Sequence, residues 1–412
     1  MKTLMPTLDS NNANISLKHV PELNKIRSYA SQFSAAWAIN ALKFTSGTFA
    51  GVTTIIIAEF YTENGETKMT LDEVTWFNSY CFTLTLGFLA SGILGQNIGS
   101  RRTMLIAAIT YITCCFTFYL STSVTIILIV QAFVGLNIPM SMSPSYAYIV
   151  EIAEPQLRSI LLAIGNLAII AGSCFAVMMA KYIHLKTIIL INTIFPVIGL
   201  LTVYLLPESP HWLASKGKLR EAENALLWLR GWTEPIKIES ELKSLNDSYH
   251  DNESSHKTVN SLKNTFSPYL TRPFCLPLVS IIYMFFAHSS AGSFTLHAYC
   301  IVIFKKMDPT FDRYVAVALF DTIRGIGAFV YIFVVPYAGK KKLQFFSFIT
   351  AGFSYSIIAI ILLLKEKELV NYHVYSFVPV VMFFMSTFLT SMGSFCSIVN
   401  YFQQDFAMLA LE

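Results

Sequence analysis

Several polar side chains stand inside long apolar runs of this 412-residue chain, where each costs free energy unless it is paired or used. Lys43 lies midway through one such run with no acidic residue within helical reach. A backbone carbonyl, snorkelling to the membrane surface and a functional role are all open to it. Asp321 and Arg324 are three residues apart, so on a helix they share a face and can pair. We read them as a self-neutralised ion pair, with a proton-coupling site as the alternative. His288 and Ser289 open a patch continued by Ser290, Thr295 and His297; hydroxyls and imidazoles together suit hydrogen bonding to an uncharged polyol, or equally to a neighbouring helix. Asn166 can both donate and accept, as a polyol hydroxyl requires. Ser/His/Asp groupings, paired carboxylates and phosphate-cradling glycines are absent from any water-accessible domain. The chain therefore reads as something other than an enzyme, with no cofactor. Seven cysteines (Cys81, Cys114, Cys115, Cys174, Cys275, Cys300, Cys396) fall in apolar stretches with no CxxC pair and no metal-ligand spacing, and are read as small buried hydrophobes.

The elements that must position these residues are membrane helices. Hydrophobic residues make up 54% of the chain and charged ones only 13%, about half what a soluble domain carries. The net charge of +4 gives no basic patch for nucleic acid. With about 20 apolar residues needed per crossing, spans are expected near 33–58, 76–98, 103–121, 124–146, 159–182 and 184–206. After a polar loop they resume near 274–303, 312–336, 343–364 and 374–402. This divides the chain into a polar tail (1–32), a six-helix bundle (33–206), a loop with short helices (207–272) and a four-helix bundle (273–412). The tail lacks the apolar core of a cleaved signal peptide. Lys and Arg are more numerous on the side that places the tail in the cytoplasm. Within the loop, Lys218 to Arg230 reads as an amphipathic helix with Leu219, Ala222, Leu226 and Leu229 on its apolar face. Asn246 to Lys263, rich in Ser, Asn and Lys, reads as flexible. Gly47 and Gly51 are spaced for close approach of two helices. Gly99-Ser100-Arg101-Arg102 is echoed by Gly339-Lys340-Lys341-Lys342, as expected of duplicated halves.

At the join between the first bundle and the loop stands Pro207-Glu208-Ser209-Pro210-His211-Trp212-Leu213, followed by Leu229-Arg230-Gly231. Upstream, Thr75-Trp76-Phe77 with Ser79 opens the second span, and Tyr148-Ile149-Val150-Glu151-Ile152 with Pro155 and Arg158 closes the fourth. In these motifs the chain resembles the sugar porter family of the major facilitator superfamily, and within it the insect facilitated trehalose and hexose transporters. The resemblance implies a major facilitator fold in the plasma membrane, a small neutral sugar as substrate and alternating access. It implies a cytoplasmic gate of Arg101, Arg102, Glu151, Arg158, Glu208, Arg230 and Lys340, whose ion pairs join the halves in one state and break in the other. It also implies a sugar site at Asn166, His288, Ser289 and Phe294. The departures from the family pattern are Gln96, Ser100, Gln131, His288-Ser289 in place of a Gln pair, Phe294, the lack of an Asp near Pro336 and Tyr337, and a tenth span that keeps Gly393 but has Ser397 and Phe402 at two pattern positions. Ending at Glu412, the chain is expected to have about ten membrane helices, the last two of twelve missing. The competing reading is a non-transporting sugar-binding or regulatory membrane protein, or an inactive short form. No acidic residue stands in the first span, which argues against a proton symporter.

Overall fold

The computed structural model describes residues 10–60, 70–78, 80–121, 123–231, 242–243, 279, 282–283, 286, 297–307, 312–367 and 377–395. All the long elements among them are α-helices. The first half is built from α1 (Ser10–Phe60), α2 (Leu71–Asn78), α3 (Tyr80–Ile98), α4 (Ser100–Leu120), α5 (Val124–Ile152), α6 (Pro155–Ala180), α7 (Leu185–Asn192) and α8 (Ile194–Tyr204). Short α9 (Pro210–Ser215) and α10 (Leu219–Leu229) follow. The second half contributes α11 (Cys300–Met307), α12 (Arg313–Ala338), α13 (Lys340–Glu366) and α14 (Phe377–Thr390), which runs into a π-helical turn at Ser391–Phe395. Eight helical stretches among the described residues are long and apolar enough to cross a bilayer, and a shorter apolar helix covers Phe377–Gly393. Nine of the ten expected spans thus have a helical counterpart, and the tenth, 274–303, lies mostly outside the described residues. The protein is an all-α, multi-pass integral membrane protein.

Burial separates central helices from peripheral ones. In α1 the apolar stretch is 83% buried, against 19% for the α2–α3 crossing. On α3 the side chains of Phe82, Leu86, Leu89 and Ile93 point outward, a face that only lipid can solvate. The packing of α1 on α6 is close because glycines line it. A Cβ at Gly47 would lie 1.9 Å from the Ile169 carbonyl oxygen, and one at Gly172 would lie 2.2 Å from that of Phe44. Gly51 faces Ser173 in the same way, as its spacing suggested.

The helix α6 also packs along α12, so it is the seam between the halves. An apolar cluster closes one end of that seam: Ile55 and Ala58 of α1, Val177 of α6, Phe304 of α11, Phe320 of α12 and Phe383 of α14. At this end Lys181 Nζ lies 2.7 Å from Asp312 Oδ2, the two residues coming from opposite halves. The other end carries the Pro207–Leu213 segment.

Candidate functional site

At that other end, the loop segment explains itself residue by residue. Helix α4 begins at Ser100 after Gly99, whose φ of 98° favours glycine, and no side chain of its own first turn caps it. Glu208 supplies the missing acceptor from 107 residues away: its Oε1 accepts the Arg101 backbone N–H at 2.9 Å. A Cβ at Gly99 would sit 2.7 Å from the Glu208 carboxyl carbon, so the glycine also makes room for the acid. Ser209 caps α9, accepting the Trp212 N–H at 3.3 Å, and Pro210 occupies the first helical position where no N–H is needed. The Ser209 hydroxyl donates to Glu151 Oε2. The Trp212 indole N–H donates to the Gln96 carbonyl at 3.0 Å, and the Tyr148 hydroxyl donates to the Pro207 carbonyl at 2.8 Å. Gly231, with φ of 75°, ends α10 in the left-handed region, and a Cβ there would meet Arg27 of α1 at 2.6 Å. The amphipathic helix forms as expected, although Ala225 joins Ala222, Leu226 and Leu229 on the buried face.

Of the expected gate residues, Arg101, Arg102, Glu151, Glu208 and Arg230 are gathered here, and their contacts differ from the charge-to-charge network implied by resemblance. Arg101 donates its guanidinium to the carbonyls of Val203 (3.3 Å) and Tyr204, the negative end of α8. Arg102 lies over the Trp212 ring at 5.9 Å. Arg230 Nη1 donates to the Ile152 carbonyl at 3.4 Å. Arg158 Nε is buried without a hydrogen bond, and burial lowers its pKa. Lys340 starts α13 immediately after Gly339. Burial raises the pKa of Glu208, while the N–H groups of Arg101 and Ser209 pull the other way. Arg101 and Arg102 form no ion pair with Glu151 or Glu208. Arg101, Glu151, Glu208 and Arg230 are held by backbone or hydroxyl groups of the first half and its loop. A further contact carried no sequence signal: Glu154 at the start of α6 accepts from Ser28 (3.2 Å) and Gln32 (3.4 Å) of α1.

Deeper in the first half, Lys43 is fully buried, so it does not snorkel, and its Nζ makes no hydrogen bond. It lies over the ring of Tyr146, 3.9 Å from the centroid, a cation–π contact that was not among the alternatives the sequence left open. The Tyr146 hydroxyl in turn donates to Asn166 Oδ1 at 2.6 Å. Asn166 is 2% exposed, with its carbonyl already engaged. His288, Ser289 and Phe294 lie outside the described residues.

The expected Asp321–Arg324 pair is present but is one contact of a larger cluster. Arg324 Nη2 is 3.6 Å from Asp321 Oδ1, but the closer partners come from other helices. The Ser173 hydroxyl of α6 donates to Oδ2 at 2.6 Å, and His297 Nε2 is 3.3 Å from Oδ1. Ser173 Oγ also lies 3.1 Å from His297 Nε2, and Thr54 Oγ1 of α1 lies 3.4 Å from His297 Nδ1. What the three-residue spacing suggested was local is a buried junction between the halves.

A bundle of membrane helices in two halves, joined along α6 and α12 with polar groups buried in the join, is the arrangement of the major facilitator fold. The sequence matches the profile of the family described as "Sugar (and other) transporter" over residues 35–410, and the chain belongs to that family, one of transporters rather than enzymes. It is 26% identical over 329 residues to the facilitated trehalose transporter Tret1 of Apis mellifera ligustica, covering 77% of this chain and 62% of that one. Against Tret1 of Drosophila willistoni the identity is 28% over 283 residues, covering 66% of this chain and 31% of the relative. The chain thus spans less than two thirds of the length of these relatives. Among solved structures, the xylose transporter XylE from E. coli in a partially occluded inward open conformation superposes with a TM-score of 0.68 at 15% identity, covering 91% of each chain. XylE bound to 6-bromo-6-deoxy-D-glucose gives the same TM-score, with 16% identity over 92% of this chain and 82% of that one.

Proposed function

We propose that this protein carries a small neutral sugar, trehalose or a hexose, across the plasma membrane by facilitated alternating access. In this reading bundles 33–206 and 273–412 rock about a mid-membrane site, and the Glu208 end faces the cytoplasm. The observation that carries it is Asn166. It is buried at the heart of the first half, fixed by Tyr146 through its carbonyl, which leaves its amide N–H groups to orient a hydroxyl. Membership of a sugar transporter family and the trehalose-transporting relatives support the substrate class. His288, Ser289 and Phe294 complete the proposed sugar site. Arg101, Arg102, Glu151, Arg158, Glu208, Arg230 and Lys340 are assigned to the cytoplasmic gate. In the arrangement described, the end bearing Lys181 and Asp312 is closed by apolar contacts and an ion pair across the halves. At the other end Glu208 and Arg101 bind backbone groups of their own half, contacts that leave that end free to open.

Expression in oocytes with surface delivery confirmed, followed by uptake of labelled trehalose and glucose, tests the reading. Saturable uptake of either is the expected result. Surface-delivered protein that takes up neither sugar would sink it.

A further inference from the structure

We propose that the junction between the halves is a proton-binding site, in which His297 holds a second ring proton while the Lys181 end is closed. The argument is one of donors and acceptors. A hydroxyl has one proton to give, and Ser173 gives its own to Asp321 Oδ2 at 2.6 Å. Toward His297 Nε2, 3.1 Å away, Ser173 Oγ is then only an acceptor, and Asp321 Oδ1, which has no hydrogen-bond partner, stands 3.3 Å off as an ionic neighbour. Nε2 must carry hydrogen. On the opposite side of the ring Nδ1 faces Thr54 Oγ1 at 3.4 Å. The Thr54 proton has two carbonyls within 3.2 Å, those of Ala50 and of His297 itself, which leaves a lone pair for Nδ1. Both ring nitrogens face acceptors, and an imidazolium is the form that satisfies both.

Charge points the same way. Asp321 is fully buried, and the guanidinium of Arg324, at 3.6 Å, is itself partly exposed. A carboxylate out of water needs a close compensating cation, and His297 is the nearer. Among the described residues, the other titratable groups about Asp321 are the thiols of Cys174 on α6 and Cys300 on α11. From α1 only the Thr54 hydroxyl reaches the ring, Lys43 being about three turns along that helix. From the α14 segment, Ser391 donates to the Arg324 carbonyl.

Thr54 and Ser173 belong to the first half, His297 and Asp321 to the second. Parting the halves removes two of the ring's acceptors and admits water to the carboxylate. The proton then leaves to solvent, and closure recovers it. By linkage, the closed arrangement is favoured as pH falls. The effect on uptake rests on the alternating-access reading; the proton site itself does not.

Solid-state 15N spectra of histidine-labelled protein in bilayers, with His297→Gln to assign the resonance, read the ring directly. The expected result is both nitrogens protonated over a pH range in which the Asp321→Asn protein has already lost one proton. A bare ring nitrogen throughout, or identical titration in Asp321→Asn, overturns the proposal. If His297→Gln fails to fold, Thr54→Val, which removes only the Nδ1 acceptor, is expected to narrow the doubly protonated range; an unchanged range overturns it. Sugar uptake compared at about pH 5.5 and about pH 7.5 should change several-fold in the native protein and be flat in His297→Gln. A profile retained in His297→Gln counts against the site. Absence of uptake in every variant counts against sugar transport, and the spectra then decide the proton site alone.

Discussion

The two ends of the bundle use charge in opposite ways. At the Pro207–Leu213 end, charged side chains are tied to backbone and hydroxyl groups of their own half: Glu208 caps α4, Arg101 reaches the last carbonyls of α8, and Arg230 reaches Ile152. At the Lys181 end and in the seam beside it, polar contacts cross between halves: Lys181 with Asp312, Ser173 with Asp321, Thr54 with His297. Interactions inside a half survive a rocking motion and set the shape of each rigid body. Interactions across the seam are made and broken, and so set the balance between states.

The largest test of this distinction lies in the first half's own packing. Gly47→Val would drive a side chain into the Ile169 carbonyl, 1.9 Å from the new Cβ. Overpacking of this kind costs about 3 kcal/mol, and loss of surface-delivered protein, read by surface biotinylation, is expected whatever the pH. Normal delivery would show that the α1–α6 contact is looser than described. Next comes Asn166→Ala, expected to weaken sugar affinity by about 1–3 kcal/mol through lost hydrogen bonds, with turnover less affected. Tyr146→Phe should do the same to a smaller extent, and kinetics showing turnover reduced with affinity intact would remove Asn166 from the site.

Glu208 offers a milder test with a definite sign. Its pKa is raised from 4.5 by burial, so its contribution to stability is fully present below that value and is lost as pH rises through the raised one. Glu208→Gln keeps an acceptor for the Arg101 N–H without the charge. Its melting temperature relative to the native protein should improve as pH rises from 4.5 upward. A difference that is flat with pH would show the carboxylate to be well solvated. The smallest effect is expected at Lys181–Asp312, where both side chains are substantially exposed and screened by water. Asp312→Asn should shift the balance between states only slightly, and less in high salt. Because the lysine holds the Asp312 pKa down, the pair's contribution is lost as pH falls through that lowered value. A large, salt-insensitive effect would move the controlling contact from the buried seam to the surface.

What the sequence made legible followed from local pattern. The membrane helices, the α10 helix and the gathering of Glu151, Glu208 and Arg101 at one end rest on apolar runs and short motifs. Close approach at Gly47 and Gly51 was legible because a four-residue glycine spacing has a direct geometric meaning. The partners were not legible. Lys43 finds Tyr146 on another helix, and Asp321 finds Ser173 148 residues away. Three-residue spacing correctly put Arg324 beside Asp321, yet it could not rank that contact below two from helices elsewhere in the chain. Nor could a charged motif show whether its acid would meet an arginine or the bare start of a helix.

The capping of α4 by Glu208 has a consequence in time. The Arg101 N–H is synthesised 107 residues before the carboxylate that accepts it, an interval of about 5–20 s at ribosomal speeds. Through that interval the helix has entered the bilayer with its first N–H groups facing interfacial water. The cap forms only once Glu208, just past the end of α8, has been made and returned to the start of α4.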